Sequence, residues 1–395
     1  MSDRAPHRPA VDHPDGGPVL RTASSRSPRP GSSNPAARRR PHLAARLEDS
    51  FDRAVARVLR ARGWTVRIEP YTGYGADGWV RVLARTLLAG PHVGDRDLPS
   101  AGATAQDGGP DGRAVRGWRS FATAQVAGAV LEVTVGGQVH RRVTDRGGYL
   151  DAVVPADLPP GRHEVLLRGP DGSTALAPVH VVDPGCRYGL VSDIDDTVMI
   201  TRLPRPLVAA WNAFVRSETA REPVPGMAGL FRELVGEQDV PVVYLSTGAW
   251  NAAAAIGRFL RRHGFPAGPL LLTDWGPTNT GWFRSGREHK RTQLARLMRE
   301  LPTVRWVLVG DDGQHDPEIF AEAASRAPEH VHAVLLRQLT FAEHVLAHGL
   351  PVPTTGVTRA GHGPLRDGVP VLQGPDGHAL LDQVRERGIR LDRPD

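Results

Sequence analysis

Three carboxylates, Asp193, Asp195 and Asp196, fall within four positions in the segment YGLVSDIDDTVMI, between two apolar runs. Carboxyl groups have ordinary pKa values of about 4, so neighbouring carboxylates repel one another unless a cation joins them. Mg²⁺ prefers a few carboxylate oxygens together with water and phosphate oxygens. The segment therefore predicts a site for a divalent cation.

The elements that must position these residues alternate, after Cys186, between apolar strands and helices. Five segments have the pattern of buried strands: YGLVS, VPVVYLS, GPLLLT, RWVLVG and VHAVLLR. Three segments have helical spacing: AAAAIGRFLRRHG, REHKRTQLARLMREL and DPEIFAEAASRA. This alternation predicts an α/β domain with a parallel sheet flanked by helices, in which ligands bind beyond the carboxyl ends of the strands.

Polar residues follow the predicted strands at that edge of the sheet. Ser246 ends the second strand, Lys290 lies near the start of the helix after the third, and Asp311 and Asp312 follow the fourth. Asp316 begins a helix, where it could be a metal ligand, support a ligand, or serve as an N-cap. We expect a hydroxyl, an ammonium and several carboxylates to meet there.

Lys290 is also unusual in composition. The chain has 49 basic residues, and Lys290 is its only lysine. A compact ammonium suits a crowded phosphate site better than the planar guanidinium of arginine does. We therefore interpret Lys290 as a catalytic residue rather than as surface decoration.

Four motifs in order, DIDDT, Ser246, Lys290 and GDDGQHD, resemble the signature of the DxDxT phosphatases of the haloacid dehalogenase superfamily. More narrowly, SDIDDTVMIT, PVPGM, YLSTGAWN, LLTDWGPTNTGWF, HKRTQLARLM and GDDGQHDPEIF resemble the catalytic domain of the actin-patch-associated phosphatidate phosphatase family. The sequence departs from that family at Asp312, where relatives often have a small polar residue, and at GAWN, which replaces the Ser-Pro-Trp of some members.

The resemblance implies a haloacid-dehalogenase-like fold and a phosphatase that acts through an aspartyl-phosphate. Asp193 would be the nucleophile. Asp195 would protonate the leaving alkoxide and then activate water. Ser246 and Lys290 would bind the oxygens of the transferring phosphoryl group.

The resemblance also implies a Mg²⁺ site. Its ligands would be the carboxylates of Asp193 and Asp311 and the backbone carbonyl of Asp195. Either Asp316 or Asp312 would complete the site.

The region before the catalytic motifs has a different period. From about residue 80 to 183, short alternating runs such as AVLEVTV, QVHRRVT and YLDAVV are separated by turn residues. This pattern predicts an antiparallel, sandwich-like β-rich domain, preceded by a helix with Leu47, Phe51, Val55 and Val58 on one face. We find no cluster of charged or metal-binding residues in this region that would form a site, so we interpret it as an accessory module.

The overall division follows from these patterns. We predict a disordered basic tail (1–41), a helix with a β-rich domain (42–185), a catalytic domain (186–345) and a C-terminal extension (346–395) of unassigned role. The tail has eight arginines against three aspartates, so it accounts for +5 of the chain's net charge of +6. The remainder is nearly neutral, and we expect no nucleic-acid partner.

Composition also bears on location. No apolar run is long enough to span a membrane, and we see no secretion signal. Cys186 is the only cysteine, which favours a reducing compartment, so we expect a cytoplasmic protein that could contact an anionic membrane peripherally.

The resemblance implies phosphatidate or a related lipid phosphate as the leading substrate. The insert MITRLPRPLVAAWNAFV could face lipid or pack as a cap over the site. Two alternatives stay open: a soluble sugar or nucleotide phosphatase, and a non-catalytic binding module on a phosphatase scaffold.

Overall fold

The computed structural model describes residues 56–90, 125–200, 221–236, 239–273, 286–313, 315–340, 343, 368–389 and 391. Several predicted features lie outside these residues. They are the basic tail 1–41, the start of the predicted first helix up to residue 55, and the insert residues 201–220.

The β-rich domain contains one sheet of seven strands in the order β4-β3-β6-β7-β1-β2-β5. In chain order the strands are β1 (Thr65–Ala76), β2 (Trp79–Ala89), β3 (Val130–Val135), β4 (Gln138–Val143), β5 (Tyr149–Pro155), β6 (Gly161–Arg168) and β7 (Thr174–Val181). The pairings are antiparallel except that β1 and β7 run parallel. The sheet is therefore mixed rather than wholly antiparallel. Its one parallel pair joins the first strand, β1, to the last strand, β7, which runs in the same direction.

The seven-stranded sheet curls around its own core. Leu131 on β3 and Leu150 on β5 lie near opposite ends of the strand order, yet both belong to one cluster of buried side chains. Alternate residues along the strands point into this core, as the period of two predicts.

The second sheet has six strands in the order β12-β11-β8-β13-β14-β15, and all its pairings are parallel. The strands are β8 (Tyr188–Ser192), β11 (Val242–Ala249), β12 (Leu270–Thr273), β13 (Arg305–Asp311), β14 (Val331–Arg337) and β15 (Val371–Gly374). All five residues of β8 are buried, as expected for a central strand covered on both faces. The predicted parallel sheet flanked by helices is confirmed.

The helices of this domain are α1 (Met227–Val235), α2 (Ala253–Arg262), α3 (Gly286–Glu300), α4 (Asp316–Arg326) and α5 (Gly377–Glu386). The three predicted helices correspond to α2, α3 and α4. A short antiparallel pair, β9 (Met199–Ile200) and β10 (Glu222–Pro223), flanks the undescribed insert. None of the helices in the described ranges combines the length and the apolar character needed to cross a bilayer.

Part of the predicted C-terminal extension completes the parallel sheet. Strand β15 pairs with β14, and α5 follows it, with the Asp376 side chain accepting from the backbone N–H groups of His378 and Ala379. Leu380 and Val384 of α5 are buried in the core of the parallel sheet. These residues, to which the sequence assigned no role, are thus part of the parallel-sheet domain.

Candidate active site

The acidic segment begins where the central strand of the parallel sheet ends. Directly after β8, the N–H of Asp193 donates to the carbonyl of Val309 on β13 at 2.9 Å. The chain then turns, with the N–H groups of Val198 and Met199 donating to the carbonyl of Ile194 at 3.0 and 3.2 Å. This turn presents the side chains of Asp193 and Asp195 to different neighbours.

Lys290 joins two of the predicted acidic residues. Its Nζ lies 2.7 Å from Asp193 Oδ1 and 2.6 Å from Asp316 Oδ1, and all three side chains are buried. Burial disfavours the charged ammonium, but the carboxylates of Asp193, Asp316 and Asp311 outweigh burial and raise the pKa of Lys290. Lys290 is therefore a fixed positive charge within hydrogen-bond distance of the predicted nucleophile.

The carboxylates around Lys290 have more negative charge than one ammonium balances. Burial raises the pKa of Asp193; the carboxylates of Asp316 and Asp195 act in the same direction, and Lys290 opposes them. Burial also raises the pKa of Asp311 well above its ordinary value, with Asp316 and Asp193 adding to the effect. A further positive charge is needed if these groups are all to be ionised at neutral pH.

Three of these carboxylates lie close enough together to bind one metal ion. Asp193, Asp311 and Asp316 each offer one oxygen, and the three oxygens lie within 4.8 Å of one another. Asp311 Oδ1 accepts from the N–H of Gly313 at 2.8 Å, whereas Asp311 Oδ2 and Asp316 Oδ2 are buried without a hydrogen-bond partner among the described residues. Leaving a buried acceptor without a partner costs free energy, and a bound cation would remove that cost. Carboxylate oxygens are ligands that Mg²⁺ prefers. The residues present fit a Mg²⁺ ion.

Asp316 reaches this group because Gly310 leaves room for it. A Cβ atom at position 310 would lie 2.6 Å from Asp316 Oδ2 and 2.7 Å from Cε2 of Phe320. The N-cap of α4 is His315, and no side chain caps the helix by a hydrogen bond. The alternative role of Asp316 as an N-cap is therefore not observed.

Asp312 faces a different part of the structure. Its Oδ1 accepts from the N–H of Leu339 at 2.8 Å, and its own N–H donates to the carbonyl of Arg337 at 2.9 Å. Asp312 does not belong to the carboxylate group described above. Of the two residues that could complete a metal site, the structure brings Asp316 and not Asp312 to Asp193.

Ser246 contacts the second aspartate of the DIDDT segment. At the carboxyl end of β11, Ser246 Oγ donates to Asp195 Oδ2 at 2.9 Å and accepts from the N–H of Gly248 at 2.9 Å. Both side chains are buried. The side chain of Asp195 thus accepts from a hydroxyl and lies outside the three-carboxylate group.

Two residues that sequence reasoning undervalued lie at the site. Thr197, which directly follows the three aspartates, donates from Oγ1 to Asp193 Oδ2 at 3.3 Å. Arg337, a buried cation that no motif indicated, donates from Nη1 to the backbone carbonyl of Asp196 at 2.7 Å. The only signal for Arg337 is its place at the carboxyl end of an apolar strand, the same end from which the site residues extend.

Comparison with known proteins agrees with this geometry. Residues 188–338 match the family described as "Phosphatidate phosphatase APP1, catalytic domain". Phosphatidate phosphatase APP1 of Saccharomyces cerevisiae is 24% identical over 200 residues, which are 49% of this chain and 34% of that protein. An uncharacterized protein of Schizosaccharomyces pombe is 24% identical over 151 residues, which are 38% of this chain and 25% of that protein.

The alignments thus span about a third or less of the length of these relatives. Among solved structures, a carbohydrate acetylesterase from Xanthomonas citri matches with 11% identity over 68% of this chain and 66% of that one, with a TM-score of only 0.24. A likeness that low says nothing about the site. The matched residues 188–338 include Asp193, Lys290 and the acidic group, so the part of the chain that holds the site is the part that is similar to this catalytic domain.

Proposed function

We propose that this chain is a Mg²⁺-dependent phosphatase of the haloacid dehalogenase type that hydrolyses phosphate monoesters through an aspartyl-phosphate on Asp193. The observation that carries the proposal is the buried contact of Lys290 with Asp193 and Asp316, beside an unpaired oxygen of Asp311. This arrangement combines a nucleophilic carboxylate, a fixed cation and cation ligands at the carboxyl edge of a parallel sheet.

The proposed metal ligands are the carboxylates of Asp193, Asp311 and Asp316, together with the backbone carbonyl of Asp195. When bound, Mg²⁺ would supply the charge that lets an anionic nucleophile approach a phosphate. The three carboxylates would hold it without any contribution from Asp312, which is bonded to Leu339.

In the first proposed step, an oxygen of Asp193 attacks phosphorus while the bond from phosphorus to the alcohol oxygen breaks. Asp195 gives its proton to the leaving alkoxide, and Ser246, which donates to Asp195 in the structure, turns its hydroxyl to a phosphoryl oxygen. Lys290, held 2.7 Å from Asp193, stabilises the negative charge of the transferring group.

In the second step, Asp195 takes a proton from a water molecule, and that water attacks the phosphorus of the aspartyl-phosphate. The bond between phosphorus and Asp193 breaks, which releases inorganic phosphate and restores the Asp193 carboxylate. Asp195 is again protonated and ready for the next leaving group.

The proposed substrate is phosphatidate or a related lipid phosphate, because the matching family and its named yeast member are phosphatidate phosphatases. The enzyme would then meet the lipid at a membrane surface by peripheral contact from the cytoplasm. A soluble sugar or nucleotide phosphate is the second candidate substrate class. The buried acids and Lys290 speak against the third reading, a non-catalytic binding module.

The deciding experiment measures phosphate release from phosphatidate in mixed micelles and from soluble phosphate esters, each with Mg²⁺ and with EDTA. We expect Mg²⁺-dependent release from phosphatidate at the higher kcat/KM. Release from soluble esters alone would replace the lipid substrate with a soluble one. No release from either class with Mg²⁺ would leave the binding-module reading in its place.

A further inference from the structure

The β-rich domain contacts the parallel sheet at the two elements that supply Ser246 and Lys290. Buried side chains of the β-rich sheet, Tyr71, Tyr74 and Leu83, belong to the same apolar core as the catalytic strands. The two sheets therefore share a core, and they are not independent units joined by a linker.

The first contact is aromatic and lies four residues after Ser246. Trp250 stacks on Tyr71 of β1, with ring centroids 4.7 Å apart, and its ring centroid is 5.5 Å from that of Tyr149 on β5. The guanidinium of Arg85 lies 4.6 Å from the ring centroid of Tyr149 on the β-rich side. Aromatic rings at these separations attract one another, so the turn that follows Ser246 is held by the β-rich sheet.

The second contact is ionic and lies at the far end of α3, the helix that carries Lys290. Asp151 of β5 accepts from Arg296 Nη1 at 2.8 Å and also pairs with Arg81 of β2. Glu300, the last residue of α3, pairs with Arg81 and accepts from the hydroxyl of Tyr74 at 2.6 Å. Three strands of the β-rich sheet, β1, β2 and β5, thus bind the C-terminal half of α3.

A bound C-terminal half fixes the position of the first turn, because an α-helix is a stiff rod that rises about 1.5 Å per residue. Lys290 lies roughly 9 Å along that rod from Arg296 and roughly 15 Å from Glu300. Its two contacts, at 2.7 and 2.6 Å, leave no slack for a shift of the helix along its axis. A tilt of α3 would therefore separate Lys290 from Asp193.

The two contacts meet at the site itself. Gly286, the first residue of α3, packs so closely on Thr247 that a Cβ atom at position 286 would collide with the Thr247 methyl group. The start of α3 and the residue next to Ser246 thus rest against each other. Both ends of this unit, Trp250 and Glu300, are held by the β-rich sheet.

We propose that the β-rich domain is a built-in positioning platform for the active site, in which Asp151 and the rings around Trp250 set the places of Lys290 and Ser246. The proposal rests on the proposed function for the chemistry of those two residues. It assigns the β-rich domain a part in catalysis, in place of the role of accessory module that its sequence indicates.

The structure offers a matched control for Asp151. Asp239 also forms contacts between the two sheets, accepting from His180 Nε2 at 2.9 Å and lying 3.5 Å from Arg162. The side chains of Asp151 and Asp239 have similar exposed fractions, 42% and 48%. Asp239 precedes β11, however, and so lies at the amino end of that strand, away from the site.

The experiment compares Asp151→Asn with Asp239→Asn in the full chain. We expect Asp151→Asn to lower kcat about tenfold with little change in KM, since misplacing a catalytic group by about 1 Å can cost up to ~100-fold. We expect Asp239→Asn to leave kcat within about twofold of the original chain, because its contacts lie at the other end of β11 and should not move a catalytic group. Arg296→Gln should lower kcat in the same direction but by less, because Asp151 then keeps its ion pair with Arg81. The double variant should be no worse than Asp151→Asn, because that change already removes the contact with Arg296.

Hydrogen exchange gives a readout that does not need activity. The amides at the start of α3, residues 286–292, should exchange faster in Asp151→Asn than in Asp239→Asn. Equal kcat and equal exchange in the two variants would overturn the positioning role. If the original chain hydrolyses no phosphate ester, the proposed function fails, and the exchange comparison still decides whether the β-rich sheet holds α3.

Discussion

Arg337 donates from Nη1 to the backbone carbonyl of Asp196 at 2.7 Å, and this bond ties the end of β14 to the turn that carries the acidic residues. Asp196 has a φ of 59°, the one positive φ of a non-glycine residue in the described ranges. A left-handed conformation costs roughly 1–2 kcal/mol for a residue with a Cβ atom. Arg337 also binds Glu343 and the carbonyl of Pro375, so it is held firmly against this turn.

We predict that Arg337→Ala lowers kcat by roughly 10- to 100-fold, because the turn that presents Asp193 and Asp195 loses its support. Added guanidinium at millimolar concentration should restore part of the activity, whereas urea should not. Glu343→Gln is the control, since it weakens the ion pair of Arg337 but keeps the bond to Asp196. An Arg337→Ala protein with unchanged kcat, or one that urea restores equally well, would rule out this positioning role.

The proposed nucleophile, Asp193, is tested by Asp193→Asn. The change keeps the size of the side chain, so we expect a folded protein with an unchanged circular dichroism spectrum. Turnover should fall by at least ~10³-fold, because an amide cannot form the aspartyl-phosphate. Turnover within tenfold of the original in such a folded protein would assign the nucleophile to another residue.

The proposed metal ligands are tested by comparing two adjacent aspartates, Asp311 and Asp312. Asp311→Asn should raise the Mg²⁺ concentration needed for half-maximal activity by at least ~10-fold, since it removes one of the proposed ligands. Asp312→Asn should change that concentration by less than about threefold, because Asp312 is bonded to Leu339 and lies outside the carboxylate group. Isothermal titration with Mg²⁺ gives the same comparison without substrate. A larger effect at Asp312 than at Asp311 would exchange their roles.

Stability should depend on pH through His180. Burial lowers the pKa of His180, with Asp239 opposing and Arg162 assisting, so the folded state takes up the proton at lower pH than the unfolded state does. The free energy of unfolding therefore falls as pH drops below about 6.5, by at most about 1.4 kcal/mol per pH unit. Urea unfolding at pH 7.5 and 5.5 should show a larger loss for the original chain than for His180→Gln. Equal losses would mean that His180 titrates alike in both states.

The basic segment 1–41 lies outside the described residues, and its prediction rests on charge alone. Deleting it removes eight arginines and a net charge of +5, which should weaken binding to vesicles of anionic lipid. The loss should be largest at low salt, where charges are screened least. Co-sedimentation measures the binding, and turnover of a soluble ester should not change. Equal vesicle binding with and without the segment would remove it from lipid recognition.

The catalytic domain could be predicted from its sequence because its strands are buried on both faces. Such strands appear as continuous apolar runs, so their ends are visible, and the residues at those ends meet at one edge of the sheet. Asp193, Ser246, Lys290 and Asp311 were located in this way. The structure brings all four to that edge.

Contacts between distant segments could not be predicted in the same way. Asp312 and Asp316 look equally suitable in the sequence, and only the packing of Asp316 on Gly310 and the bond from Leu339 to Asp312 distinguish them. The parallel pairing of β1 with β7 and the ion pair of Asp151 with Arg296 of α3 also join residues far apart in the chain. Local periodicity carries no information about such partners.

Strand β15 has a consequence for the order in which the protein can fold during synthesis. It is the last strand of the parallel sheet to be made, and it covers the free side of β14. Until residues 371–374 have left the ribosome, β14 presents a row of unpaired N–H and C=O groups on which another chain could pair. The edge of the nascent parallel sheet would therefore stay open to pairing with another chain until its final strand arrives.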